Sequence, residues 1–157
     1  MLWYWIFINL TMTIDTFQKS KLLTKALAFQ KFLKNTQQNW TTSLSSLESK
    51  SSWEIEHRPS SSHDSIIHHI SNGDFIEKGA VNYSFVHAQA SEQVAKAAKT
   101  PSLVGQYFVA MGISMIIHPK NPYVPTVHAN LRYFQSLEEN PSWWFSAVMD
   151  LTPTYGF

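Results

Sequence analysis

The chain has no cysteine in its 157 residues. That excludes disulfides, thiolate metal sites and cysteine nucleophiles. Glycine is scarce, at five residues, so few positions bring backbone close to a ligand without a side chain in the way. The glycine-dependent motifs are missing as well: there is no G-x-G-x-x-G, no P-loop and no G-x-S-x-G. Charge is also sparse. Asp, Glu, Lys and Arg make up 15% of the chain, against roughly 25% in an ordinary domain. A net charge of +1 offers no bulk attraction to nucleic acid or to an anionic membrane. The opening run MLWYWIFINL (1–10) is apolar but falls short of the about 20 residues that span a bilayer. No basic residue precedes it and no small-residue cleavage site follows, so it does not read as a secretory signal. Residues 1–15 are expected to be a poorly ordered or over-extended N-terminus, with no integral membrane segment.

What is present is enough for one domain. Hydrophobic residues reach 44% and aromatics 14%, with six Trp. Asp15 and Gln18 resemble a capping box, and Leu22, Leu23, Ala26, Leu27, Phe29, Phe32 and Leu33 recur at helical spacing. A helix is predicted over 16–39. The Ser/Thr-rich stretch 41–52, with the polar segment to Asp64, reads as loop with short regular pieces. From there the pattern is mainly β. Val81, Tyr83, Phe85 and His87 alternate with Asn82, Ser84 and Val86. Residues 91–100 predict a short helix ended by Pro101. The runs 107–119 and 127–136 are further strands, joined by PKNPYVPT (119–126), whose three prolines predict an ordered, extended connection. An aromatic strand follows in 141–157. The fold class is α+β, an antiparallel sheet with helices.

The segment 127–136 is chemically the richest. On a strand, His128, Asn130 and Arg132 project to one face, a ladder about 14 Å long. Arg offers a fork for a carboxylate, Asn both donor and acceptor, and His a proton near neutral pH. By the same parity Ser114, Ile116 and His118 share a face of the preceding strand. If the two strands are neighbours, Ser114, His118, His128, Asn130 and Arg132 converge. The wet face of a half-exposed sheet alternates in the same way, and periodicity leaves both readings open. His118 and His128 suit a metal such as Zn, Cu, Fe or Ni, although a tight site takes more than two ligands. His57, His63, His68, His69 and His87 fall in no compact motif and read as surface or loop histidines. Asp150, just before L-T-P, reads as a turn or cap residue. Trp143 and Trp144 are expected to face core on one side and a partner on the other.

The run AMGISMIIHPKNPYVPTVHANLRYF (110–134), followed by WWFSAVMDLTPTYGF (143–157), closely resembles oxygen-dependent coproporphyrinogen-III oxidase. GAVNYSFVHA (79–88) resembles the strand that precedes the same core in that family. The resemblance covers roughly residues 20–157. It implies a large flat antiparallel sheet flanked by helices, with 16–157 forming the N-terminal half of such a domain. It also implies oxidative decarboxylation of coproporphyrinogen III to protoporphyrinogen IX in haem biosynthesis. O2 is the co-substrate, with release of CO2 and hydrogen peroxide. A divalent metal is a candidate, with no organic cofactor, and a homodimer in the cytoplasm is implied. By resemblance His128 is the catalytic acid/base, Ser114, Asn130 and Arg132 bind substrate, and His118 and His128 are candidate metal ligands. The chain departs from the family where glycine-rich segments are expected: it has RPSSSHDS (58–65) and SAVM (146–149). Two readings follow, an oxidase and a catalytically inactive remnant that binds porphyrin or a partner.

Overall fold

The computed structural model describes residues 16–138 and 141–155. The segment 1–15, expected to be an over-extended start, lies outside the described residues. A long helix, α1 (Thr16–Ser45), precedes strands β1 (Glu54–Pro59), β2 (His63–Ser71) and β3 (Ile76–Gln89). A short helix, α2 (Glu92–Ala97), and a 3-10 turn, Pro101–Leu103, lead to β4 (Tyr107–Pro119), β5 (Thr126–Ser136) and β6 (Trp143–Thr152). The strands form one antiparallel sheet in the order β1-β2-β3-β4-β5-β6. Neighbours in the sheet are thus neighbours in sequence, and the fold is α+β as expected.

The chain divides into two compact units at Phe32, within α1. The described part of the first, 16–32, is helical, and Phe29 stacks on Phe32 with ring centroids 5.7 Å apart. The second unit begins at Leu33 and carries the sheet.

Helix α1 runs six residues past its predicted end at 39. The Ser/Thr-rich sequence satisfies its own hydroxyls along the helix. Thr41 donates to the Gln37 carbonyl (3.0 Å) and Ser45 to the Thr41 carbonyl (2.8 Å). Leu33, Gln37 and Thr41 are buried at a spacing of four. The Gln37 amide donates to the carbonyls of Ile66 (2.7 Å) and Val81 (2.8 Å), which ties this stretch to β2 and β3. Tertiary contact therefore overrides the weak local propensity. Just beyond the helix, the Glu48 carboxylate accepts from the backbone N–H groups of Asp74, Phe75 and Ile76 and so fixes the β2–β3 turn.

Residues opposite one another in an antiparallel pair share a face. One face carries the buried Val81, Tyr83, Met111, Ile113, Ile117, Ala129 and Tyr133. At its far edge it is uncovered, and Trp143, Phe145, Met149 and Leu151 of β6 are exposed. The opposite face is half covered. There α2, capped by the Ser91 side chain on the Val94 N–H (3.3 Å), packs with Ala90, Leu103, Phe108 and Phe134. Trp144 stacks on Phe134 at 5.6 Å and remains partly exposed.

The connection 119–126 is a turn, not the extended segment the prolines suggest. Asn121 folds it: its side chain accepts from the Tyr123 N–H (3.0 Å) and its carbonyl from the Val124 N–H (3.0 Å). Asn is suited to this local mimicry of a turn. The result is that β4 and β5 lie side by side.

Gly112 in β4 is required by close approach. A Cβ there would sit 2.7 Å from the Leu131 carbonyl oxygen and 3.4 Å from Cγ of Arg132. Gly112→Ala is expected to push β5 away and to cost about 1–3 kcal/mol, the usual penalty of overpacking. Chemical denaturation measures this, and an unchanged midpoint would contradict the close approach.

Candidate active site

The half-covered face of the sheet collects the polar residues that the sequence singles out. Alternation along β5 places His128, Asn130 and Arg132 on it, and alternation along β4 places Ser114, Ile116 and His118. The β4–β5 register sets Ser114 opposite Asn130, Gly112 opposite Arg132 and Ile116 opposite His128. An open hollow of ≈ 670 Å³ lies over Asn82, Ser84, Ser114, Asn130 and Arg132, walled by Val94, Ala97 and Ala98 of α2 and its end. A second hollow of ≈ 250 Å³ adjoins it, shares Ser114 and Asn130, and contains His128 and Asp150. The larger volume falls within the range of small-molecule sites.

Arg132 is exposed, and its Nε donates to Asn130 Oδ1 at 2.8 Å. No carboxylate among the described residues forms an ion pair with its guanidinium, whereas Lys34, Lys50 and Arg58 are each paired with an acid. The fork is thus aimed and its charge is not neutralised.

His128 lies beside Asp150 of β6, with Nδ1 and Oδ1 2.7 Å apart. The hydrogen bond from His128, aided by Thr152 Oγ1 (3.1 Å), holds the Asp150 carboxyl below its ordinary value. At neutral pH Asp150 is therefore ionised and can only accept. Nδ1 must then carry the hydrogen, and in the neutral imidazole the lone pair lies on Nε2.

A family model described as coproporphyrinogen III oxidase matches residues 28–157. The chain belongs to the coproporphyrinogen III oxidase family. Members of that family are oxidoreductases of haem biosynthesis. Among the described residues, no helix is long and apolar enough to cross a membrane.

In this oxidase-family chain, the sheet brings Ser114, His128, Asn130 and Arg132 together. It does not bring His118 to them. His118 is exposed beside the β4–β5 turn, with Nδ1 3.3 Å from Thr126 Oγ1, and it lines neither hollow. Both imidazoles thus engage Nδ1 with a neighbouring side chain. Among the described residues, no three His, Asp or Glu side chains form a group able to hold a metal ion. His118 and His128 are each held by a separate side-chain partner, Thr126 and Asp150.

Sequence reading missed two features. Asp150 is a strand residue opposite His128, not a turn or cap residue. Its pairing depends on the β5–β6 register, for which spacing along β6 alone gives no sign. His68 is not a surface or loop histidine: it is buried in β2, and burial pushes its imidazole below the ordinary value. His69, on the opposite face, stays half-exposed 3.8 Å from Glu54.

Proposed function

We propose that the chain binds coproporphyrinogen III on this face and takes part in its O2-dependent oxidative decarboxylation to protoporphyrinogen IX. The observation that carries the reading is an unpaired guanidinium, Arg132, on the same floor as an imidazole whose Nε2 is left free by Asp150. Arg132, with Asn130 fixing its Nε, holds a propionate carboxylate of the substrate. Ser114 contacts the substrate between them. His128 Nε2 takes a proton from a pyrrole N–H, which raises the electron density of that ring toward O2.

The change at each propionate is a two-electron oxidation. The bond to CO2 and one C–H bond on the ring-side carbon break, and a vinyl C=C forms. Two electrons pass to O2, which takes up two protons and leaves as hydrogen peroxide. One of those protons is the C–H proton and the other comes from solvent. The pyrrole nitrogen recovers its proton from His128 at the end. A homodimer in the cytoplasm belongs to the same reading, and the exposed apolar residues of β6 support burial against a further surface.

The test is an aerobic assay of the purified chain with coproporphyrinogen III, read as protoporphyrin fluorescence after oxidation of the product. Conversion well above a His128→Ala control is expected. A folded chain that binds the porphyrinogen but converts none of it would reassign the protein to non-catalytic porphyrin binding.

A further inference from the structure

The floor of the larger hollow extends from β4 and β5 onto β3. On β3, Asn82 lies directly opposite Ser114, which lies opposite Asn130. Three polar side chains therefore stand abreast across three adjacent strands and line one cavity. Asn130 Oδ1 is occupied by Arg132 Nε. Asn82 Oδ1 is different: it is buried, and among the described residues it has no hydrogen-bond partner. The hydroxyls of Ser65, Ser84 and Ser114 line the same hollow, and none of them donates to it. A buried carbonyl oxygen left without a donor is costly, and native proteins rarely leave one without a reason.

We propose that Asn82 is a substrate-contacting residue: its amide turns toward the hollow when the porphyrinogen binds, and Oδ1 accepts a hydrogen bond from a pyrrole N–H. This inference rests on the proposed function. The chemistry of the ligand decides which group is involved. At neutral pH the carboxylates of a coproporphyrinogen only accept, so its four pyrrole N–H groups are its only donors. An amide oxygen can meet this ligand in no other way. The placement agrees. Asn82 lies two strands from β5 and is offset by two residues from Arg132, a backbone separation of about 12 Å. Both residues line the hollow, Asn82 from β3 and Arg132 from β5. The floor therefore divides its work: Arg132 takes an anionic arm at the rim and Asn82 takes the ring interior. Asn82 then fixes which way the macrocycle lies relative to His128, which a contact to a carboxylate on a flexible propionate does not do.

The test uses two ligands, coproporphyrinogen III titrated anaerobically and zinc(II) coproporphyrin III, which has the same carboxylates and no pyrrole N–H. Asn82→Leu keeps the size and removes the acceptor. It is expected to raise the Kd for coproporphyrinogen by about tenfold, the scale of one lost hydrogen bond, and to leave the Kd for the zinc porphyrin unchanged. Asn82→Ala is carried alongside and gives the same pattern if the leucine variant fails to fold by circular dichroism. A wild-type chain that binds the porphyrinogen while Asn82→Leu alters neither ligand, or weakens both equally, would overturn the contact and leave the proposed function standing. A wild-type chain that binds neither ligand would overturn both.

Discussion

Asp150→Asn is expected to lower the kcat of the proposed porphyrinogen turnover by about 10²–10⁴-fold while leaving KM close to wild type. The reason is the direction of one hydrogen bond. An ionised Asp150 can only accept, so it selects the His128 tautomer with hydrogen on Nδ1. Asparagine can present an N–H to Nδ1, which moves the imidazole hydrogen to Nε2 and removes the base. Asp150 is thus a positioning residue that acts through His128. The split between kcat and KM separates this role from a structural one, because Asp150 is exposed in β6 and its loss opens no cavity.

The pH dependence has a definite sign. The folded-state pKa of Asp150 is depressed, so its stabilising contribution is present above the ordinary carboxylate value and is lost as pH falls through the depressed one. Wild type and Asp150→Asn therefore converge in Tm only in strong acid. Across neutral pH the carboxylate stays charged, and Asp150 contributes no limb to the rate profile there. An Asp150→Asn variant that turns over like wild type would sink the tautomer argument.

The second large effect is on binding. Arg132→Ala is expected to raise the Kd for coproporphyrinogen III by about 10–100-fold, the range for a lost charge-assisted hydrogen bond. Arg132→Lys recovers only part of it, since an ammonium keeps the charge but not the two-pronged geometry. Because the site is open to solvent, the wild-type affinity should weaken with added salt, and the alanine variant should lose most of that dependence. Fluorescence titration at two ionic strengths measures both. Equal affinity and equal salt response in wild type and Arg132→Ala would mean that the carboxylate sits elsewhere.

How much of this was visible in the sequence follows from what is local. Which side chains share a face is a period-two property, readable from the strand alone: it groups His128, Asn130 and Arg132 on one strand and Ser114 with His118 on the other. Which strand lies beside which is not local. The β4–β5 pairing stays conditional in the sequence, because the three prolines of 119–126 point to an extended connection and not to the turn that Asn121 makes. Asp150 was lost because L-T-P after it suggested a turn, whereas β6 continues to Thr152. The end of α1 was misjudged for a related reason. Thr41 and Ser45 favour loops in isolation, and it is the grip of Gln37 on two sheet carbonyls that keeps them helical. His118 shares the parity of the site, but parity gives no position along the strand, and His118 lies too near the turn to reach either hollow.

The two halves of the proton-handling pair also differ in how firmly they are held. His128 sits on β5, hydrogen-bonded on both sides by β4 and β6. Asp150 sits on β6, which among the described residues has β5 as its single neighbour. Edge strands open more readily than central ones. Each opening of β6 carries the carboxylate away while the imidazole and the guanidinium stay in place. In the proposed reaction the working fraction of molecules would be the fraction with β6 docked, and turnover would scale with it. A surface that covered the outer edge and the apolar side of β6 would thereby act on the proposed chemistry without touching the substrate.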